Sequence, residues 1–543
     1  MSVIPCSVNL FQDRQHLTKV LLGSQQKSRE IGGQHFVSIS QAVTAIDPLQ
    51  VLALFATPEQ HYFYLENPIK GQSIAAFGCV ISNQTYQQIN KKNNSLDRFQ
   101  ESQEFIQFCQ QNTTYIGDIE DINDPIGNNS IGKSAHKKNG MIFLCGFSFF
   151  AELEAANYPF DAANIFLPRW QIHRQFNQCF LVANLAITTL SNIDKIVDHL
   201  IQEFYEITSC CSPKYYYYSP QKSLDKSLDK SLDKSLDKSL DKFLDKSLAI
   251  SANINSGIIP SHQKNNQFQS AKQNIQNHQF QLAVQNVLAS IAQEKFQKIV
   301  LAQTREIIAT QPFSIVNTLA NLRHKYPDCY TFALSNGAGY TFLGASPERL
   351  LSINHQSLIT DALAGSAPRY QDLDQDQQSA IELLANKKER NEHQTVVDFL
   401  DRTLTDLGLQ TQKSATPKIL KLSNIQHLWT PITAQLNHLN QPIHPLEILG
   451  KLHPTPAVAG TPREIVSAEI QRYEQFNRGL YAAPIGWIDS WGNSEFIVGI
   501  RSCLIHGCHA QLYAGAGIVA GSDPEKELAE IELKFQPLCT ALT

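Results

Sequence analysis

Near the C-terminus, Glu527, Glu530 and Lys534 stand at spacings of three and four, which on a helix brings all three to one face. An exposed, salt-bridged stripe is the plain reading of such a set. Two carboxylates on one face can also hold a divalent ion, and Glu392 in KKERNEH, on another expected helix, can complete the ligand set. Hard oxygen ligands suit Mg²⁺, which keeps water and substrate in its remaining positions. No Cys or His cluster has zinc spacing. Lys298 opens the otherwise apolar run KIVLA, where a lysine either snorkels to water or serves as a buried amine. Glu348 in GASPERL follows Pro347, which ends a strand and turns the next side chain from the ladder. That carboxylate is either solvated or an acid at a pocket mouth. AGAG (514–517) is expected to end a strand in a turn that brings backbone N–H groups near a ligand. It lacks the Walker lysine and the GxGxxG spacing, so no nucleotide site is expected. Arg501, inside an expected strand, needs an anionic partner if it is buried.

The elements that must position these residues are clearest after about residue 275. Phe280–Ile291 reads as an amphipathic helix, and Lys298–Ile308 as a buried strand rich in branched residues. Tyr330–Ser335 and Tyr340–Ala345 flank Asn336-Gly337-Ala338-Gly339, whose Asn and Gly supply the positive φ of a hairpin. Gln375 to Leu407 has one helical periodicity, with Gly408 as its stop. The runs YAAPIGWI, EFIVGIRSCLI and AQLYAGAGIV are expected to form an antiparallel meander. A last helix should start after Ser522-Asp523-Pro524. Earlier, HYFYLE (61–66) and MIFLCGFSFF (141–150) are strand-like, and Asn177–Tyr205 turns helical toward its end.

Composition bounds the rest. The 543 residues carry 45 basic and 50 acidic side chains and are 42% hydrophobic, which excludes a fully disordered chain and gives no field for nucleic acid. No apolar run reaches the ~18 residues of a membrane helix. The opening MSVIPCSVNLFQDRQH lacks a signal-peptide core, and the 11 cysteines form no CxxC pair. A cytoplasmic protein with reduced thiols, binding neither nucleic acid nor membrane, is therefore expected. The chain divides into residues 1–210, a low-complexity linker at 211–270 and a half at 271–543. In the linker SLDK repeats five times from Ser223 to Lys242, after the Tyr215–Tyr218 run. A period of four winds around a helix and makes no fixed face, so a solvated linker is expected.

Taken together, the motifs carry a resemblance. KIVLAQ, FLGASPERL, DALAGSAPR, KERNEH, NIQHLWT, HPTPAVAGTP, RGLYAAPIGW, GIRS, YAGAGIV and EKELAEIELK follow the order seen in chorismate-utilising enzymes. That family includes isochorismate, salicylate, anthranilate and aminodeoxychorismate synthases. The likeness spans roughly residues 275–540, with weaker traces in GFSFF and IFLPRW. Within it, Lys298 resembles the lysine of the water-using members, where ammonia users carry Gln. Ala364 stands where aminodeoxychorismate synthases place a nucleophilic Lys, and Ala457 looks like isochorismate synthases, where salicylate synthases tend to have Thr. Glu389, in KER, replaces the commoner Asp and keeps its charge. The linker has no family counterpart.

The resemblance implies an α/β (α+β) layered chorismate-binding fold, large antiparallel sheets packed face to face with flanking helices, completed by the N-terminal half. It implies an isochorismate synthase, an isomerase that adds water at C2 of chorismate and expels the 4-hydroxyl, feeding quinone (menaquinone, phylloquinone) or siderophore and salicylate synthesis. The alternatives are a salicylate synthase and a non-catalytic chorismate-binding relative. By resemblance Lys298 is the base and Glu348 the acid. Catalysis wants both pKa values near neutrality, so burial must raise Glu from ~4.3 and lower Lys from ~10.4. Mg²⁺ on Glu392 and Glu530, with Glu527 assisting directly or through water, would bind the ring carboxylate. Arg501, Tyr481 and the Gly515 and Gly517 backbone would take the enolpyruvyl carboxylate. Lys534 would touch the ring carboxylate or metal-bound water, while Gly365, Ser366, His427 and Ala457 line the pocket. A monomer without a glutaminase subunit is expected.

Overall fold

Branched and aromatic residues in runs of five to eleven favour extended chain, and here they assemble two large sheets. The structure, a computed structural model, describes residues 9–90, 97–117, 140–152, 158–209, 262–423, 425–439 and 441–542. The SLDK repeats and the tyrosine run before them lie outside the described residues. The chain forms two units: one joins Met1–Ser212 with Phe280–Thr543, the other is Pro213–Gln279. The helix His262–Ala292 covers the expected Phe280–Ile291 segment.

In the first unit a 12-stranded sheet runs, in spatial order, Gly460–Thr461, Lys298–Ile308, His509–Val519, Ser502–His506, Tyr340–Ser346, Tyr330–Ser335, Tyr62–Asn67, Gln72–Phe77, Trp170–Gln175, Gln178–Ile187, His35–Val43 and Thr113–Gly117. A 10-stranded sheet has at its centre Ser357–Pro368, Arg349–Asn354, Ser494–Val498, Pro484–Asp489 and Ile142–Phe147. Among the described pairs only His35–Val43 with Thr113–Gly117 is parallel. The N-terminal strands sit inside both sheets: Tyr62–Asn67 pairs with Tyr330–Ser335, and Ile142–Phe147 with Pro484–Asp489. The sheets face one another closely. A methyl added at Gly146 would lie 2.4 Å from Leu334 Cδ2 of the other sheet, so this glycine lets the layers approach. A contiguous core including Phe143, Phe147, Phe332 and Ile497 fills the space between them. The result is an α+β architecture.

The strand Lys298–Ile308, the hairpin at Asn336–Gly339 and the final helix Pro524–Ala541 form as their sequences indicate. Asp523 caps that helix by accepting from the Glu525 and Lys526 N–H groups. Three expectations need correction. The periodic stretch Gln375–Leu407 is two helices, Leu373–Ala385 and Lys387–Asp406. Asn386 breaks it, because its side chain accepts from the Lys388 and Glu389 N–H groups and caps the second helix. The run EFIVGIRSCLI is not one strand but two in different sheets, Ser494–Val498 and Ser502–His506. The expected meander is thus two separate hairpins, and Arg501 lies in the crossing between them at φ 48°. AGAG does not end a strand in a turn; all four residues lie within His509–Val519.

Candidate active site

The sheet crossing is where chemistry gathers. Two chain segments pass together from one sheet to the other: Ser346–Arg349 and Val498–Ser502. Their strands pair on both sides of the crossing, and Val498 N donates to Glu348 O (3.1 Å) while Ala345 N donates to Arg501 O (3.1 Å). Glu348 and Arg501 therefore leave the ladders side by side. Both border a cavity of about 100 Å³. Gly365, Ser366, Glu392, His427, Ala457, Tyr481, Gly515, Gly517, Glu530 and Lys534 border it as well. Lys298 and Glu527 do not. Lys298 is buried just behind the wall, and its Nζ donates to Glu392 Oε1 (2.7 Å). Glu527 is buried too, with its Oε1 3.6 Å from Lys388 Nζ.

The glycines of AGAG make room. A Cβ on Gly515 would stand 2.8 Å from the Tyr481 hydroxyl, and one on Gly517 would stand 3.2 Å from both Lys298 Cε and Glu392 Oε1. Ser502 is the last residue to pair with this strand's inner edge, opposite Tyr513. Beyond Tyr513 that edge has no neighbouring strand among the described residues, and Gly515 and Gly517 face the cavity. Lys534 Nζ donates to Gly515 O (2.7 Å) and pairs with Glu530 (2.7 Å).

Burial sets the proton affinities. Glu348 is 4% exposed. Burial, with Asp361 adding to it and Lys298 and Lys534 opposing, pushes its carboxyl up to about 8. Burial also works on Glu392, but the Lys298 ammonium beside it holds it below the ordinary value. His427, buried with Arg501 and Lys534 close by, is pushed down to about 3 and is neutral. Its Nδ1 lies 3.2 Å from Gly365 O and its Nε2 3.4 Å from Arg501 Nη2. A carbonyl can only accept, so Nδ1 carries the proton and Nε2 accepts from the guanidinium. Tyr481 stacks on Tyr513 with ring centroids 5.2 Å apart, and burial raises its phenol. A larger cavity, about 310 Å³, lies by Lys70, His173, Tyr330 and Glu495, but none of the residues singled out from the sequence borders it.

The family profile described as chorismate binding enzyme matches residues 21–248 and 228–543. The chain belongs to the chorismate binding enzyme family. Residues of this chorismate binding enzyme are 38% identical over 254 positions to the isochorismate synthase MenF of Bacillus subtilis, 47% of this chain and 53% of that protein. They are 38% identical over 258 positions to a salicylate biosynthesis isochorismate synthase of Pseudomonas aeruginosa, again 47% and 53%. The chain thus aligns with about half the length of these curated relatives. Its fold is shared with the solved menaquinone-specific isochorismate synthase MenF of Escherichia coli (TM-score 0.65, 23% identity, 96% of this chain and 100% of that one). It is also shared with anthranilate synthase component I of Streptococcus pneumoniae (TM-score 0.54, 19% identity, 75% and 83%).

Whether this chorismate binding enzyme can hold a divalent cation is a question of donor chemistry. Among the described residues no three His, Cys, Asp or Glu side chains meet closely enough to enclose an ion. Glu392 and Glu530 nevertheless border one cavity, and Mg²⁺ commonly takes one or two carboxylates plus water and substrate oxygens. Glu527 and Glu389 are raised by burial and then by the neighbouring carboxylates Glu392 and Glu530. Lys298, Lys534 and Lys388 pair with Glu392, Glu530 and Glu527, so the four carboxylates exceed their lysine partners by one charge, and their oxygens are of the kind Mg²⁺ takes. In the sequence Glu389 shows only as a charge-conserving replacement. Its Oε2 accepts from Ser366 N (3.1 Å) and so holds the bulge at Gly365 in strand Ser357–Pro368, where Gly365 sits at φ 76°. The apolar wall of Val300, Leu363, Ile500 and Tyr513 carried no signal beyond ordinary strand apolarity.

Proposed function

We propose that this enzyme is an isochorismate synthase, converting chorismate reversibly to isochorismate. The observation that carries the reading is Glu348: a buried carboxyl pushed up to about 8, in the same small cavity as Arg501, is an acid still protonated at neutral pH. Hydroxide is a poor leaving group and needs such a donor. In this reading water attacks C2 and the ring double bonds shift. Glu348 protonates the departing 4-hydroxyl, so one water enters and one leaves with no change of oxidation state. In this reading the Lys298 ammonium first gives up its proton to solvent, the neutral amine then takes the proton of the attacking water, and the Glu392 carboxylate 2.7 Å away holds the ammonium so restored. Arg501, kept in place by His427, offers its fork to the enolpyruvyl carboxylate, with Tyr481 and the Gly515 and Gly517 backbone beside it. Mg²⁺, held by Glu392 and Glu530 with Glu527 behind them, would supply positive charge that neutralises the ring carboxylate.

Similarity to the named isochorismate synthases supports this reading. A product in the quinone or siderophore and salicylate routes, a cytoplasmic location and a monomeric state belong to the same proposal. No helix among the described residues is long and apolar enough to cross a membrane. The test is incubation of the purified chain with chorismate and Mg²⁺, products being resolved by chromatography. Isochorismate alone supports the reading. Accumulating pyruvate would make it a salicylate synthase, and no turnover a non-catalytic relative.

A further inference from the structure

Strand Lys298–Ile308 has a short partner on its outer side. Gly460–Thr461 pairs only with Lys298 and Ile299, and Ala459 O accepts from Val300 N (2.8 Å). Past that point the outer edge meets side chains. Arg478 Nη2 donates to Val300 O (2.8 Å), and Ala302 N donates to Glu474 Oε1 (2.8 Å). The two side chains also bind each other, Nε to Glu474 Oε2 at 2.8 Å and Nη2 to Oε1 at 2.6 Å. Arg478 Nη1 reaches on to Val458 O (2.9 Å), and the guanidinium lies over the Phe149 ring, 4.4 Å from its centroid. Arg478 is 0% exposed and does not border the cavity. Yet Val300 and Val458, whose carbonyls it grips, both border it. So does Tyr481, whose N–H donates to Arg478 O (2.8 Å).

Resting on the reading above, we infer that Arg478, paired with Glu474, is a positioning residue: it continues the sheet edge with side chains and fixes Val300, Val458 and Tyr481 around the substrate. A fully buried ion pair is a poor device for stability alone, since apolar replacements of both partners are often neutral. What a planar fork adds is direction: one guanidinium holds two carbonyls and a carboxylate at fixed angles.

The test uses the full chain with Arg478→Lys and with the double replacement Glu474→Gln/Arg478→Met, which removes both charges together. Thermal unfolding, chorismate affinity by calorimetry and steady-state kinetics are measured on each. Both variants should melt near the wild type, bind chorismate at least tenfold more weakly and show that loss in KM more than in kcat. An ammonium cannot span Val300 O and Val458 O, so wild-type affinity in Arg478→Lys would overturn the inference. Wild-type KM and kcat in the folded double variant, or loss of kcat with KM unchanged, would do so too. Should the double variant fail to fold, Arg478→Lys decides. A wild type that binds chorismate without turning it over sinks the functional reading while leaving affinity to judge Arg478; one that does not bind it overturns both.

Discussion

Glu348→Gln should abolish turnover while stabilising the fold at alkaline pH, because the property that makes Glu348 an acid is a burden on the folded chain. Its carboxyl rises from 4.5 to about 8 on folding, first through burial. Between those values the folded state binds more protons than the unfolded one, so stability falls as pH rises through the window and levels off above about 8. The penalty is roughly 2 kcal/mol at pH 6 and on the order of 4–5 kcal/mol at pH 9. An amide cannot ionise and escapes it. Denaturant unfolding of both proteins at pH 6 and pH 9 should show the variant's relative advantage growing by roughly 2–3 kcal/mol. Activity should move the other way, with kcat down by ~10²–10⁴-fold. Wild-type kcat/KM, which reports the free enzyme, should fall about tenfold per pH unit above about 8 as the acid is lost. Turnover at the wild-type rate in Glu348→Gln would refute the role. A stability difference flat between pH 6 and 9 would refute the burial argument behind it.

Three further outcomes are expected. Lys298→Ala should lower kcat by ~10²–10⁴-fold in a steady-state assay while chorismate binding stays measurable, and a wild-type rate would remove the base. Chelation with EDTA should stop turnover and Mg²⁺ should restore it; equal rates with and without chelator would defeat the metal proposal. Gly517→Ala puts a methyl 3.2 Å from Lys298 Cε and Glu392 Oε1. That overpacking should destabilise by ~1–3 kcal/mol and reduce kcat, read by thermal unfolding and kinetics, whereas a variant matching the wild type in both would show that the pair can yield freely.

Much of the fold could be read from local signals, and the failures share a cause. Lys298–Ile308, the hairpin at Asn336–Gly339 and the Asp523 cap are each specified within a few residues. Asn386 carried a readable sign as well, a cap residue with Glu389 three positions on, but the periodicity around it masked the break. The crossing at Gly499–Arg501 was not readable, because alternation reports which side of a strand is buried and not which of two equally apolar sheets holds it. AGAG reads as a turn, though it lies within a strand, for a related reason. Glycine suits a turn, but it also suits a strand against which other side chains must press, and only the packing of Tyr481, Lys298 and Glu392 distinguishes the two. The residues of the candidate site came mostly from the family resemblance, and Arg478 had no local mark of being buried.

The crossing also explains why acid, arginine and open backbone share one place. Had EFIVGIRSCLI run on as a single strand, residues beyond Ser502 toward Ser494 would have continued to pair along His509–Val519 and closed its inner edge. Instead the chain leaves at Arg501 for the other sheet, and the strand Tyr340–Ser346 beside it leaves at Pro347. Two paired strands departing together open a gap floored by Gly515 and Gly517 and walled by the departing residues themselves. Glu348 is buried there because sheet closes on both sides of it, and burial is the first cause of its raised proton affinity. The same sheet switch that ends the ladder therefore makes the cavity, supplies its acid and sets that acid's strength.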